Sequence, residues 1–332
     1  MFADATLATI FVGLMGLSVL IYAVLDGYDL GVGILLPLEN ENQKDQMIAS
    51  IGPFWDANET WLVLAVGLLL IAFPTAHSII LKALYLPASI MLIGLILRGV
   101  AFDFRAKVKQ TRKATWDKVF KAGSLITSCC QGFMLGMYVM GFEHSLAAYL
   151  FSFLSAIGVT MGYAMIGSAW LILKTSGELQ LRAIGWARWC GRLAFVGIIG
   201  VCIVNPLIND FVLERWTQMP TAFFISAIPA LCFILLVLND RVLNTLPLPQ
   251  DKGCWLPFML TVIIFICCFA GLALSFFPWV VPGQLTIWQA ASAPDSLRFI
   301  LWGALIVIPC ILAYTIFSYR IFWGKVEDLR YY

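Results

Sequence analysis

Charged side chains are scarce in this chain. Only 12% of its 332 residues are Asp, Glu, Lys or Arg, against 61% hydrophobic, where a soluble domain carries about a quarter charged. That shortage excludes an ordinary soluble enzyme. Histidine is scarcer still: there are two, His77 and His144, both at or just beyond the ends of apolar runs. Haem held inside a membrane bundle usually needs imidazole ligands within the helices, so no haem bound by this chain itself is expected. Nine cysteines form no CxxC or CxxCH motif and no Cys/His cluster of metal-ligand spacing, which excludes a zinc site and a covalently attached haem. They read as packed thiols, since the adjacent pairs Cys129/Cys130 and Cys267/Cys268 diverge by about 100° on a helix. A net charge of +2 with dispersed lysines gives no footprint for nucleic acid. The opening MFADATLATIF lacks the basic segment and cleavage site of a signal peptide and reads as the start of a retained helix.

What is abundant is apolar sequence in blocks long enough to cross a hydrocarbon core of about 30 Å. Nine spans are expected, near 7–36, 48–73, 78–102, 117–140, 146–173, 184–206, 220–239, 255–278 and 298–323, making an all-α integral membrane protein with one polytopic domain over 1–332. Loops must alternate sides, and Lys and Arg collect on the cytoplasmic one. With the N-terminus outside and the C-terminus cytoplasmic, 17 of the 21 basic residues fall in cytoplasmic segments. Lys82, Arg215 and Arg298 fall outside, and Arg98 lies within the third span. The longest loops, near 103–116 and 279–297, hold no soluble domain. Small residues four apart, Gly27/Gly31, Gly132/Gly136 and Gly158/Gly162, suit close helix packing.

Carboxylates inside apolar runs cost on the order of 3 kcal/mol each and are functional candidates by default. Asp26 and Asp29 in LDGYDLGVG are three apart on one helical face; Asp56 and Glu59 in PFWDANETW begin the second span; Arg98 closes the third, followed by Asp103 and Arg105. The expected topology gathers all of them in one layer near the cytoplasmic face. Such a layer is either a proton entrance or head-group pocket, with desolvation and a neighbouring charge tuning the acids, or interhelical glue in which an Asp pairs with Arg98. Asp103 and Arg105 read as solvated. Trp55, beside Asp56, offers a ring against which a quinone stacks; the other tryptophans near span ends read as an interfacial belt.

At these motifs the chain resembles the second subunit of the cytochrome bd-type quinol oxidases, including the cyanide-insensitive branch. The similarity runs end to end and is carried by Asp26-Gly27-Tyr28-Asp29-Leu30-Gly31-Val32-Gly33, Trp55-Asp56-Ala57-Asn58-Glu59-Thr60-Trp61, Arg98 with Phe102-Asp103-Phe104-Arg105, and Leu285-Thr286-Ile287-Trp288-Gln289-Ala290-Ala291-Ser292. Tyr28, Ala57 and Gly99 depart from residues often seen there. The resemblance implies a nine-helix subunit of the bacterial cytoplasmic (inner) membrane, set in lipid. Its partner in a heterodimer would be a larger, homologous subunit I carrying low-spin haem b, high-spin haem b and haem d and oxidising quinol outside, and a small single-helix subunit is a further possible partner. Such a complex reduces dioxygen to water with protons taken from the cytoplasm and does not pump. The implied proton path maps onto Asp29 and Asp56, with Asp26 nearby. Some members hold ubiquinone or another quinone within this subunit, near the positions matched by Trp55 and Arg98. Two other classes use the same features: a proton-coupled secondary transporter, with the intramembrane acids and Arg98 binding substrate and ion, and a purely structural partner bundle.

Overall fold

The computed structural model describes residues 2–37, 39–219 and 221–326. It is helical from end to end: α1 (Phe2–Leu35), α2 (Glu41–Ile51), α3 (Trp55–Ala72), α4 (Pro74–Lys107), α5 (Gln110–Val139), α6 (Leu146–Lys174), α7 (Gly177–Ile208), α8 (Asp210–Thr217), α9 (Thr221–Thr245), α10 (Leu256–Phe276), the short α11 (Ile287–Ala290) and α12 (Pro294–Ile321). Eight of these, α1, α3, α4, α6, α7, α9, α10 and α12, are long and apolar enough to cross a membrane. The remaining expected span falls on α5, which is as long as its neighbours but more polar. Two of its buried hydroxyls are bonded inside the helix or to α6: Ser124 donates to the Phe120 carbonyl, Ser128 to Leu125, and Thr160 of α6 to Ser128.

The run expected as one span over 48–73 is broken. α2 ends at Ile51 and α3 begins at Trp55, because Pro53 supplies no backbone N–H and disfavours helix in the residue before it. Only α3 is an apolar span; α2 is a short polar helix, started by Asn40, whose side chain accepts from the Gln43 amide at 3.2 Å.

α1 is the hub, packed against α3, α5 and α6 and reaching α10 and α12. Its closeness to α6 depends on glycine. A Cβ on Gly31 would run into the Tyr163 carbonyl, and one on Gly167 would come 2.5 Å from the Gly31 backbone. Gly132 and Gly136 of α5 meet Ala156 and Ser152 of α6 in the same way. Because backbone rather than a movable side chain is in the way, Gly31→Ala should destabilise the α1–α6 contact by about 3 kcal/mol, the upper end of overpacking costs. The check is the thermal midpoint of the purified complex; an unchanged midpoint would mean that the two helices are free to separate.

One apolar cluster, around Tyr28, Phe54, Phe102, Trp170 and Leu246, fills the end of the bundle where α2 lies; another, around Phe11, Phe73, Val281 and Ile287, fills the opposite end. The Leu285–Ser292 stretch belongs to the second. It forms the hairpin strands β1 (Trp279–Val281) and β2 (Leu285–Thr286) and then α11, opened by a Thr286/Gln289 capping box. Ser292 ties it to the end of α3 by hydrogen bonds to the Ala72 and Ile71 carbonyls. This motif is a structural cap on the bundle.

Candidate functional site

The polar residues of α1 share one stripe. Tyr22, Asp26 and Asp29 follow a spacing of four and three, which keeps them on one helical face, and both aspartates are fully buried. Each meets a different partner.

Asp26 faces Arg98 of α4. Arg98 Nη2 lies 2.6 Å from Asp26 Oδ1 and also pairs with Glu59 of α3, so three helices converge on one guanidinium nitrogen. Arg98 is 1% exposed, whereas the Glu59 side chain is 27% exposed. The charge triad thus runs from a sealed interior to the surface of α3. Arg98 Nε and Nη1 meet no acceptor among the described residues.

Asp29 is held by an amide instead. Asn58 Nδ2 donates to Asp29 Oδ2 at 2.8 Å and to the Tyr28 hydroxyl at 3.0 Å. Tyr28 shares a 2.5 Å hydrogen bond with Tyr319 of α12. Its ring stacks on Trp170 of α6, with centroids 4.3 Å apart. Beside Asp26, Tyr163 of α6 donates to Gln131 Oε1 of α5, and Gln131 Nε2 donates to the Tyr22 hydroxyl, both at 2.6 Å. The two acids therefore sit in a continuous polar lining contributed by α1, α3, α4, α5, α6 and α12.

Asp56 is not part of this lining. The buried face of α3 carries Asn58, Trp61, Ala65, Leu68 and Ala72. Asp56 precedes Asn58 by two residues, about 200° around the helix, and so faces outward, exposed, one turn before Glu59. Trp55 is half-buried, with its ring 5.0 Å from that of Phe102 and its edge against Gly99, where a Cβ would come within 3.5 Å. Of the two readings offered for Trp55 and Arg98, the geometry supplies the buried ion pair for Arg98 and leaves Trp55 packed on aromatic and glycine surface.

Asp103 is exposed, as expected, but Arg105 is not solvated. It is 6% exposed, with Nε 2.5 Å from Asp117 Oδ1 and Nη2 2.8 Å from Asp45. Lys44 of α2 is buried as well, 3.3 Å from Asp117 Oδ2 and 2.5 Å from Glu41. Burial alone would lower the Lys44 ammonium, yet the Glu41 and Asp117 carboxylates outweigh it and hold the group above its usual value. This cluster clamps α2 across the ends of α4 and α5. It was illegible in sequence because Asp45, Asp117 and Arg105 are far apart in the chain and each alone resembles a solvated loop charge.

The residues missed at the site itself are polar but uncharged. Tyr22 had a local signal, its place four residues before Asp26. Gln131, Tyr163 and Tyr319 had none, since their role arises only when α5, α6 and α12 meet α1.

Residues 7–322 match the family model described as cytochrome bd terminal oxidase subunit II. The chain is 28% identical to the cytochrome bd-I ubiquinol oxidase subunit 2 of Escherichia coli K12 over 365 residues, covering 96% of this chain and 95% of that one. It is 30% identical to the cytochrome bd ubiquinol oxidase subunit 2 of Bacillus subtilis over 323 residues, covering 91% and 92%. Among solved structures, the bd oxidase from Geobacillus thermodenitrificans shares the fold, with a TM-score of 0.77 at 16% identity over 96% of this chain and 100% of that one. Spanning helices and bacterial relatives together make this a multi-pass protein of the bacterial inner membrane. With a match over nearly its whole length, the chain belongs to the cytochrome bd terminal oxidase subunit II family.

Proposed function

We propose that this quinol oxidase subunit supports assembly of a haem-bearing subunit I and delivers protons from the cytoplasm for the reduction of dioxygen to water. The observation that carries the reading is the pair of fully buried carboxylates on one face of α1, one of which, Asp26, is linked through Arg98 to a partly exposed Glu59. A carboxyl at the boundary of interior and surface exchanges protons with water; a desolvated one favours its neutral, protonated form and so holds the proton until a neighbour accepts it. Asp56 and Glu59 gather protons at the start of α3, Asp26 and Asp29 hold them inside, and Arg98 keeps the carboxylate charge tolerable. Membership of the family supports a complex with subunit I, whose haems supply electron transfer and oxygen chemistry when bound.

The residues of this chain do not suit a haem of their own. His77 is half-buried in the first turn of α4 and His144 is exposed beyond α5, bonded through Nδ1 to the Tyr149 hydroxyl at 2.8 Å. A quinone near Trp55 has little support from Arg98, whose guanidinium is buried against two acids.

Two measurements on the purified complex test this reading. His77→Ala and His144→Ala should leave the haem spectrum unchanged; loss of a haem band in either would place a ligand in this chain. Glu59→Gln keeps a hydrogen-bonding side chain but removes the titrating proton, so turnover per haem d should fall while haem content stays constant. Normal turnover per haem in Glu59→Gln would remove the surface entrance from the path.

A further inference from the structure

Outside the acid-lined site, a cavity lies between α7 and α9. It holds about 230 Å³ and has two unlike ends. One end is walled by Phe195, Phe233, Leu236 and Val237, and opens onto the lipid-facing sides of both helices, where Leu193, Val196, Ile234 and Leu238 are exposed. The other end carries Arg188, Arg192 and Arg241. Asp240 is the one acid in the lining and sits 3.4 Å from Arg192.

Neither Arg188 nor Arg192 of α7 is used up by the chain. Arg188 donates from Nη2 to the Leu243 carbonyl at 2.6 Å, but its Nε is buried and meets no acceptor among the described residues; nor does Asn239 Oδ1, in the same lining, meet a donor. Arg192 is 61% exposed, its Asp240 contact is long, and its guanidinium lies 5.9 Å from the Trp189 ring. Three guanidiniums against one carboxylate leave a net charge of about +2 over an apolar floor, on the side where the basic loops collect.

We propose that this cavity binds an anionic phospholipid. The phosphate would sit among Arg188, Arg192 and Arg241, and the acyl chains would run along Phe195, Phe233 and Val237. Charge alone would suit any phosphate; the floor, continuous with the lipid-facing surface of two spans, selects an amphiphile. Basic pockets between spans on the cytoplasmic side recognise anionic head groups in this way. The bound lipid would fill the gap between α7 and α9 and hold them in register.

The test uses the purified oxidase complex, stripped of lipid in an uncharged detergent and titrated with phosphatidylglycerol, phosphatidylcholine or inorganic phosphate. Lipid retention is read by native mass spectrometry and stability by the thermal midpoint. Phosphatidylglycerol should be retained over phosphatidylcholine and should raise the midpoint, with inorganic phosphate raising it little. Arg188→Gln and Arg192→Gln should each weaken retention about fivefold, as expected for one basic residue near an anionic head group. Asp240→Asn should strengthen it. Val237→Trp, at a position 42% exposed to lipid, keeps every guanidinium but fills the floor, and should also lose the lipid. If Arg188→Gln fails to assemble, the exposed Arg241→Gln carries the same expectation. Equal retention of the two lipids, unchanged retention in the arginine variants, or binding that survives Val237→Trp and is competed by inorganic phosphate would each overturn the proposal; the last would leave a plain anion site.

Discussion

Replacing Arg98 with leucine is expected to cost the complex about 3–5 kcal/mol of stability and to lower the yield of assembled, haem-containing oxidase. Breaking a buried ion pair by removing one partner leaves the other charge without compensation, and Asp26 is fully buried with Arg98 Nη2 at 2.6 Å. Glu59 suffers less, because its side chain is 27% exposed and recovers water. Double replacement should therefore be milder than single: Arg98→Leu with Asp26→Leu removes both charges and should recover much of the lost stability while abolishing the acid. Arg98→Lys should rescue partly, since an ammonium restores the charge but on a shorter, more strongly hydrated group than the guanidinium whose Nη2 meets both carboxylates. The measurement is haem per complex and thermal midpoint across the four proteins. Normal assembly and turnover in Arg98→Leu would show that Asp26 and Glu59 do not depend on this guanidinium.

Asn in place of Asp29 should have the opposite signature, full assembly with turnover per haem d reduced on the order of a hundredfold, the scale of a positioned proton donor or acceptor. The side chain keeps its size, and an amide oxygen still accepts from Asn58 Nδ2, which now lies 2.8 Å from Asp29 Oδ2. What disappears is the exchangeable proton. Asp29→Glu should retain more activity than Asp29→Asn because it still titrates. A scaffold role predicts the reverse, with the longer Glu worse than Asn and haem content falling alongside activity. Asp26→Asn combines both effects, since it removes a proton carrier and half of an ion pair. Asp56→Asn, on the exposed side of α3, should reduce turnover less than Asp29→Asn if it serves only to collect protons at the surface. Wild-type turnover per haem d, with excess quinol, in both Asp29→Asn and Asp26→Asn would remove these carboxylates from proton delivery.

The chain's membrane character and its helical class were legible from composition and block length, because a bilayer demands long apolar helices whatever their partners. The burial of Asp26 and Asp29 was legible too: each stands in apolar sequence on both sides, so an α1 that crosses the membrane must carry them in. Their partners were another matter. Asn58 and Glu59 were visible as polar residues beside Asp56, but the order of burial among them follows from where α3 begins, and that is set by the break at Gly52-Pro53-Phe54. A shift of two residues along a helix turns a side chain by about 200°, which is why Asp56 faces outward while Asn58 reaches Asp29. The Arg105–Asp117–Lys44 clamp and the Tyr22–Gln131–Tyr163 chain join helices distant in sequence. No local pattern encodes such meetings; they exist only once the glycine contacts Gly31–Tyr163 and Gly136–Ser152 have set how closely α1, α5 and α6 approach. Sequence alone determined that Asp26, Asp29 and Arg98 must be buried, since the cost of placing each residue type in lipid is local. Only the tertiary structure decided what each buried charge is paired with, since pairing depends on the distance and rotation between helices.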